Sequence, residues 1–193
     1  YNKETLVNIG FLASIKKTPI VVNDCPGFFT SRVIATYTAE AITMLSEGIS
    51  PELIDVCATK AGMPIGPLAM ADMTSLVLLK DIFESIIGDG KQVWVKGINV
   101  LDTLKLLTEE HKRSGKKEGK GVYSYTDGQT EVWENLERCF PPMTNSVTPK
   151  AIEQRLFFVQ ALEAVRALEE GVIDNPMDGD LASVLGWAFP SAY

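Results

Sequence analysis

One matched spacing constrains this chain more than any other feature. Arg32 is followed by Glu40 at +8, Glu47 at +15 and Gly48 at +16, and Arg155 is followed by Glu163, Glu170 and Gly171 at the same intervals. Helix grammar alone would place a terminal glycine twice. It does not place the arginine and both glutamates twice, so the pattern reads as an internal duplication. Each copy then carries a Pro, an Asp and a Gly: Pro51, Asp55 and Gly62 against Pro176, Asp180 and Gly186. A proline follows each time, Pro64 and Pro190. Arg32 and Glu40 lie about two turns apart on one helix face. So do Arg155 and Glu163, and all four read as ties between neighbouring helices rather than as chemistry.

The rest of the pattern is predominantly α. An amphipathic helix is expected over Lys3–Lys16, with Leu6, Ile9, Leu12 and Ile15 at helical spacing. Thr18-Pro19-Ile20-Val21-Val22 is short, apolar and β-branched, and reads as a strand. Helix followed by strand is half of a βαβ unit. Residues 1–22 are therefore expected to be the remnant of a sheet domain truncated at its N-terminus. Asn23-Asp24-Cys25-Pro26-Gly27 is turn chemistry, with Pro26 in a first helical turn and Asn23 or Asp24 accepting from its free N–H groups. A long helix should run to Glu47 and stop at Gly48. A second spans Ser50 to about Lys60, and Gly62–Pro67 is a rigid elbow. Single helices are expected over Leu68–Ile87 and over Asn99–Lys112, the latter with Leu101, Leu104 and Leu107 inward. Gly119–Tyr125 with Thr126-Asp127-Gly128 reads as a hairpin. Helices follow over Ala151–Glu170 and Met177–Leu185. The organisation expected is 1–22 remnant, 23–128 first helical repeat, 129–147 connector and 148–193 second repeat, truncated.

Several function classes are excluded by what the chain carries. With 25 acidic against 18 basic residues the net charge is −7, so there is no general nucleic-acid footprint. The local exception is the basic run Lys112 to Lys120, read as a solvated loop, with an anionic ligand as the other reading. No apolar run reaches the roughly 18 residues of a membrane span. Cys25, Cys57 and Cys139 form neither a disulfide framework nor a metal knuckle, and predict a reducing, cytoplasmic setting. His111, the one histidine, sits in a charged helix end and reads as a surface residue. No metal set is expected. No phosphate-binding glycine loop is present, and Gly88-Asp89-Gly90-Lys91-Gln92-Val93 reads as a plain loop. The chain thus looks like part of an enzyme, or like a binding module.

The segment Val21-Val22-Asn23-Asp24-Cys25-Pro26-Gly27-Phe28-Phe29-Thr30-Ser31-Arg32 resembles the junction between the dinucleotide and helical domains of 3-hydroxyacyl-CoA dehydrogenases. Met63-Pro64-Ile65-Gly66-Pro67 with Asp72 resembles that family's elbow, and Arg113 with Gly119-Lys120-Gly121-Val122-Tyr123 its Gly-Lys-Gly-Phe-Tyr segment. Leu168-Glu169-Glu170-Gly171 is similar to the family's helix ending. The resemblance implies a mainly α fold, the duplicated helical C-terminal domain of the 6-phosphogluconate-dehydrogenase-like type. Duplication is similar to the multifunctional β-oxidation proteins, which fuse a hydratase to the dehydrogenase. The implied parent oxidises L-3-hydroxyacyl-CoA with NAD, which is bound by an upstream dinucleotide-binding domain. That domain also carries the catalytic histidine, so no catalytic residue is expected here. Hydratase and thiolase partners are implied in the same way.

Two departures from the family pattern matter. Many relatives have Asn where Ser31 stands, and that side chain contacts substrate; the serine hydroxyl is shorter but still donates. Relatives also carry an aromatic residue where Leu185 stands. Ser31, Leu185, Gly66 and Pro67 are the expected substrate contacts, against plainer roles in capping, packing and turning. Asn23, Asp24, Pro26, Gly27, Arg32, Glu40, Arg155 and Glu163 are the expected structural motif. A non-catalytic assembly module of a degenerate dehydrogenase stays open, supported by the two departures. A different oxidoreductase on the same helical architecture is a third reading.

Overall fold

The computed structural model describes residues 2–89, 99–144 and 146–191. Helix α2 (Thr30–Ser46) is its axis. Val33, Tyr37, Ala41, Met44 and Leu45 are buried, but so are Arg32, Thr36 and Ala39 on other faces. A helix apolar nearly all round is one enclosed by others. It stops at Gly48, which takes φ +85°. A Cβ on Gly48 would stand inside the Pro141 carbonyl, so the turn also requires glycine for close approach.

Helix α8 (Pro149–Glu169) packs on α2. Arg32, near the start of α2, meets Glu163 and Glu170 at the far end of α8. Arg155, near the start of α8, meets Glu40 and Glu47 at the far end of α2. The two helices are therefore antiparallel, and the residues matched by the repeat bond crosswise rather than within their own copy. The crossing looks the same from either helix.

Around this pair, α3 (Pro51–Lys60), α4 (Pro67–Thr74), α5 (Leu76–Asp89) and α6 (Val100–Lys105) enclose the larger core. Ile42, Ile54, Leu68, Phe83, Leu104 and Leu107 lie in it, joined by Ile152, Leu156 and Phe157 of α8. Ser50 caps α3 by accepting from Leu53 N–H, as its position before Pro51 predicts. A second, smaller core gathers Phe29, Val33, Ala167, Val172, Ile173 and Ala182, the last from α9 (Pro176–Trp187). The hairpin pairs β1 (Tyr123–Thr126) with β2 (Gln129–Val132), antiparallel and in register Tyr123 opposite Val132. The expected connector is thus partly regular: it contains β2 and the short α7 (Leu136–Cys139).

Four expectations are corrected. Thr18–Val22 forms no strand: among the described residues the one sheet is the hairpin, and no neighbouring strand is there to complete a ladder. Ile20 and Val22 pack instead on the smaller core. The single helix over Leu68–Ile87 is two, α4 and α5, broken at Ser75 with φ +91°. There the Leu76 N–H donates to the Ser114 carbonyl at 2.9 Å, and Gly115 backs directly onto the Asp72 carbonyl. The Asn99–Lys112 helix ends its α geometry at Lys105 and widens into a π turn over Leu106–Glu110, with Leu104 and Leu107 buried as expected. The loop read over Gly88–Val93 has its first two residues at the end of α5, and Gly90–Val93 lie outside the described residues.

Helix α1 (Lys3–Ser14) forms as predicted, capped by Asn2, but buries no residue. Leu6, Val7 and Phe11 are all more than half exposed. Its apolar stripe has no partner among the described residues. None of the described helices is long and apolar enough to cross a membrane.

Candidate substrate-facing site

The candidate site is built at the start of α2. Gly27 (φ +78°) and Phe28 (φ +49°) are consecutive left-handed residues. Gly27 is required there, since a Cβ would lie 3.1 Å from the Arg32 nitrogen. The Cys25 thiol donates to the Phe28 carbonyl at 3.1 Å and holds the second. This turn delays the helix to Thr30, so Pro26 lies before it rather than in its first turn, correcting that expectation. Neither Asn23 nor Asp24 caps α2. Asn23 instead donates its side-chain amide to the Gly171 carbonyl at 2.7 Å, and its backbone N–H to Val172 at 2.8 Å. It ties this turn to the end of α8. Asp24 is exposed.

Successive helical residues point about 100° apart. Ser31 therefore faces solvent while Arg32 turns inward. The Ser31 hydroxyl makes no hydrogen bond among the described residues, so the capping alternative is not what the geometry shows. Arg32 is anchored: its Nε donates to Glu163 Oε1 at 2.5 Å and its Nη1 to Glu170 Oε2 at 2.6 Å. Glu163 is fully buried and also accepts from Arg166 at 3.1 Å. Burial alone would lower the Arg32 pKa, but the two carboxylates hold the proton on it and raise it. In return the Arg32 guanidinium holds the Glu170 carboxyl below the usual range.

Helix α9 lies alongside. Phe29 packs on Trp187 with ring centroids 6.2 Å apart, and Ile173 with the Phe29 ring takes the space where Gly179 has no Cβ. The Trp187 indole donates to Gln160 of α8 at 3.1 Å. Thr30 meets α9 at Gly186. Leu185, one residue earlier, is 62% exposed. Ser31 and Leu185 are thus both solvent-facing on adjoining elements, one a hydroxyl donor and one an apolar side chain.

Gly66 and Pro67 are not part of that surface. Both are buried at the start of α4, where Asp55 accepts from Leu68 N–H at 2.8 Å, Ala69 N–H at 3.0 Å and the Tyr123 hydroxyl at 2.8 Å. A Cβ on Gly66 would overlap Asp55, and Tyr37 donates to the Ile65 carbonyl at 3.0 Å. The family resemblance implies that the elbow touches an acyl group. With no open surface at either residue, its geometry is that of a fixed joint.

Sequence reasoning missed a second carboxylate latch. Asp72 accepts from Val122 N–H at 2.7 Å, Tyr123 N–H at 2.9 Å and the Tyr125 hydroxyl at 2.9 Å. Burial pushes Asp72 and Asp55 above the ordinary carboxylate range, against the pull of these donors. Arg113 is buried beside it, donates to the Gly121 and Tyr123 carbonyls and lies 4.5 Å over the Trp133 ring. Asp72 behind the elbow and the Gly119-Lys120-Gly121-Val122-Tyr123 segment are the available signals, but nothing in sequence separation joins them. Among the described residues no group of three or more His, Cys, Asp or Glu could hold a metal. Nor do they fit a dinucleotide, which needs a glycine loop leading from a parallel strand into a helix.

Comparison with known proteins accords with this arrangement. Residues 27–125 match the family described as 3-hydroxyacyl-CoA dehydrogenase, C-terminal domain. The fatty acid oxidation complex subunit alpha of Shewanella baltica (strain OS185) is 34% identical over 190 residues, covering 94% of this chain and 26% of that protein. The Vibrio cholerae protein of the same name is 32% identical over 191 residues, covering 97% and 26%. The chain thus spans about a quarter of the length of these relatives. The dehydrogenase part of multifunctional enzyme 1 from C. elegans shares the fold, with TM-score 0.70 at 24% identity, over 98% of this chain and 44% of that one. A turn with two left-handed residues, an inward arginine and an elbow locked by aspartate are set within the matched stretch, and by that match the chain belongs to the 3-hydroxyacyl-CoA dehydrogenase family.

Proposed function

We propose that this chain is the helical substrate and assembly part of an NAD-dependent L-3-hydroxyacyl-CoA dehydrogenase within a longer, multifunctional fatty-acid oxidation protein. The observation that carries the reading is the Ser31 hydroxyl: exposed, without an internal partner, and held on a helix whose next residue is a buried arginine. A free hydroxyl on a rigid element is suited to donate to a substrate oxygen as negative charge grows on it. Leu185 beside it would line the acyl chain. Residues 1–22 are read as the end of a dinucleotide-binding domain, with 23–128 and 148–193 as the two helical repeats. NAD is assigned to that domain, outside the residues described here, and so is the base that takes the hydroxyl proton. Hydratase and thiolase partners are proposed because the relatives are named as subunits of a fatty acid oxidation complex. Bacterial relatives and three free thiols support a cytoplasmic site.

The test is acetoacetyl-CoA-dependent NADH oxidation by the full-length protein that contains this chain, with Ser31→Ala beside it. Turnover is expected, and the variant should lose about tenfold or more in kcat/KM, near 1.4 kcal/mol. Turnover unchanged by the substitution would remove Ser31 from the site. No turnover in a folded, NAD-binding protein would favour the assembly-only reading.

A further inference from the structure

The lysines of the basic run have no role in the dehydrogenase reading, although Lys120 lies in the Gly119–Tyr123 segment. Lys112, Lys116, Lys117 and Lys120 lie within nine residues, in a chain whose net charge is −7. All four are exposed, and none forms an ion pair among the described residues. Other lysines behave differently: Lys80 meets Glu109 at 2.9 Å, Lys105 meets Glu84 at 3.3 Å, and Lys150 pairs with Glu153. Glu110 and Glu109 stand two and three residues before Lys112; Lys80 holds Glu109, and Glu110 forms no ion pair with any of the four lysines. Glu118 is the only acid within the run.

The lysines are mounted on a closed loop, not a loose one. Gly115 N–H donates to the Lys120 carbonyl at 2.7 Å, and Lys120 N–H returns to Gly115 at 3.1 Å. Between them Lys116–Glu118 form one 3-10 turn, closed by Gly119 N–H on the Lys116 carbonyl at 2.9 Å. Gly119 accepts in turn from Tyr125 N–H at 2.9 Å, which ties the loop to β1. Lys112, Gly115 and Gly119 all take positive φ, at +54°, +131° and +71°. The Lys116 ammonium sits 5.3 Å over the Tyr125 ring centroid, so at least one charge is held in place. Beneath the loop lies the buried Arg113 guanidinium.

We propose that the Gly115–Lys120 loop, with Lys112, is a binding surface for an anion bearing two or more phosphate groups. Four like charges within nine residues repel one another, and the cost is recovered when a polyanion neutralises them. Lysine serves phosphate as a compact charge with rotatable donors. A protein partner is disfavoured: the run from Lys112 to Lys120 contains no apolar side chain, and lysine is depleted where protein surfaces meet. The phosphates come either from a soluble oligophosphate or from lipid headgroups. This surface does not depend on the dehydrogenase reading, since its lysines are outside the Ser31–Leu185 site.

The experiment titrates the full chain with tripolyphosphate by calorimetry at low salt, and in parallel pellets it with phosphatidylglycerol vesicles. Two variants accompany it: Lys116→Gln/Lys117→Gln/Lys120→Gln, and a charge-matched control, Lys3→Gln/Lys16→Gln/Lys17→Gln. Binding is expected in at least one arm. It should fall tenfold or more in the loop variant, stay within twofold in the control, and weaken steeply between 50 and 200 mM KCl on the unaltered protein (approximate conditions). Tripolyphosphate binding assigns the phosphates to a soluble ligand; vesicle binding alone assigns them to a lipid surface. Binding in neither arm overturns the proposal. So does an equal loss in both variants, which would make the attraction one of net charge.

Discussion

The two arginines of the repeat occupy matched positions but not matched surroundings. Arg32 meets a fully buried Glu163, whereas the Arg155 side chain is 32% exposed and grips Glu47 with both terminal nitrogens, at 2.5 and 2.8 Å. Removing one partner of a buried pair strands a charge, which costs about 3–5 kcal/mol, while an exposed pair contributes about 1 kcal/mol or less. Arg166 still reaches Glu163, so Arg32→Met is expected near the low end, about 3 kcal/mol, and Arg155→Met near 1 kcal/mol. Urea midpoints at unchanged slope would show the difference; equal losses would contradict it. Glu170 supplies the pH dependence. Its folded pKa is lowered by Arg32, so its contribution is whole above the unfolded value of about 4.3 and is lost as pH falls through the folded one. Glu170→Gln should therefore be less stable than the parent at pH 7, and the difference should shrink as pH falls below the ordinary carboxylate range, in thermal melts across that range. At this scale the sequence showed which residues matter, because the spacing repeats. It could not show that each arginine bonds to the other copy, which depends on how two helices face one another.

At the scale of elements, the hairpin and α4 are held together by one carboxylate. Asp72 takes two backbone N–H groups and the Tyr125 hydroxyl, and Gly121 has no Cβ because Asp72 fills that space. An amide has one acceptor oxygen, so Asp72→Asn leaves a buried N–H without a partner, a cost of about 1–3 kcal/mol. Amide exchange at Val122 and Tyr123 should accelerate in that variant while α2 and α8 keep their protection. Uniform acceleration would mean the latch is not local. The break between α4 and α5 has the same origin. Periodicity carried one helix across Ser75, because the side chains on both sides suit one. Ser114 and Gly115, some 40 residues on, take the backbone positions that a continuous helix would need.

Over the whole molecule the antiparallel α2–α8 pair organises everything else, yet its two halves are not equally covered. Ala39 and Ile42 are buried in α2; at the same intervals from Arg155, Leu162 and Val165 of α8 are more than half exposed. Helix α1 is the extreme case, with no buried residue at all. An isolated helix of its length is marginal in water. In the 193-residue chain by itself its amides should exchange within seconds to minutes at neutral pH while those of α2 and α8 are protected, and deleting residues 2–16 should move the Tm of that chain by no more than about 2 °C; in the longer protein proposed above the same amides should be protected. A larger drop would reveal a packing role for α1 that its exposure denies.

The amino-acid sequence by itself determined what is local. It specified the start of α3 at Ser50 and the ends of α2 and α8 at Gly48 and Gly171, and which two helices are alike, through the Arg and Glu spacing. These depend on residues within a turn or two of one another, and the physics of caps and periodicity is readable at that range. Tertiary structure alone decided that α4 and α5 part at Ser75, that Asn23 ties to Gly171 instead of capping α2, and that Gly66 is sealed by Asp55. Each of those outcomes is a competition for a hydrogen-bond partner or for space between residues far apart in the chain, and its winner exists only once the helices have packed.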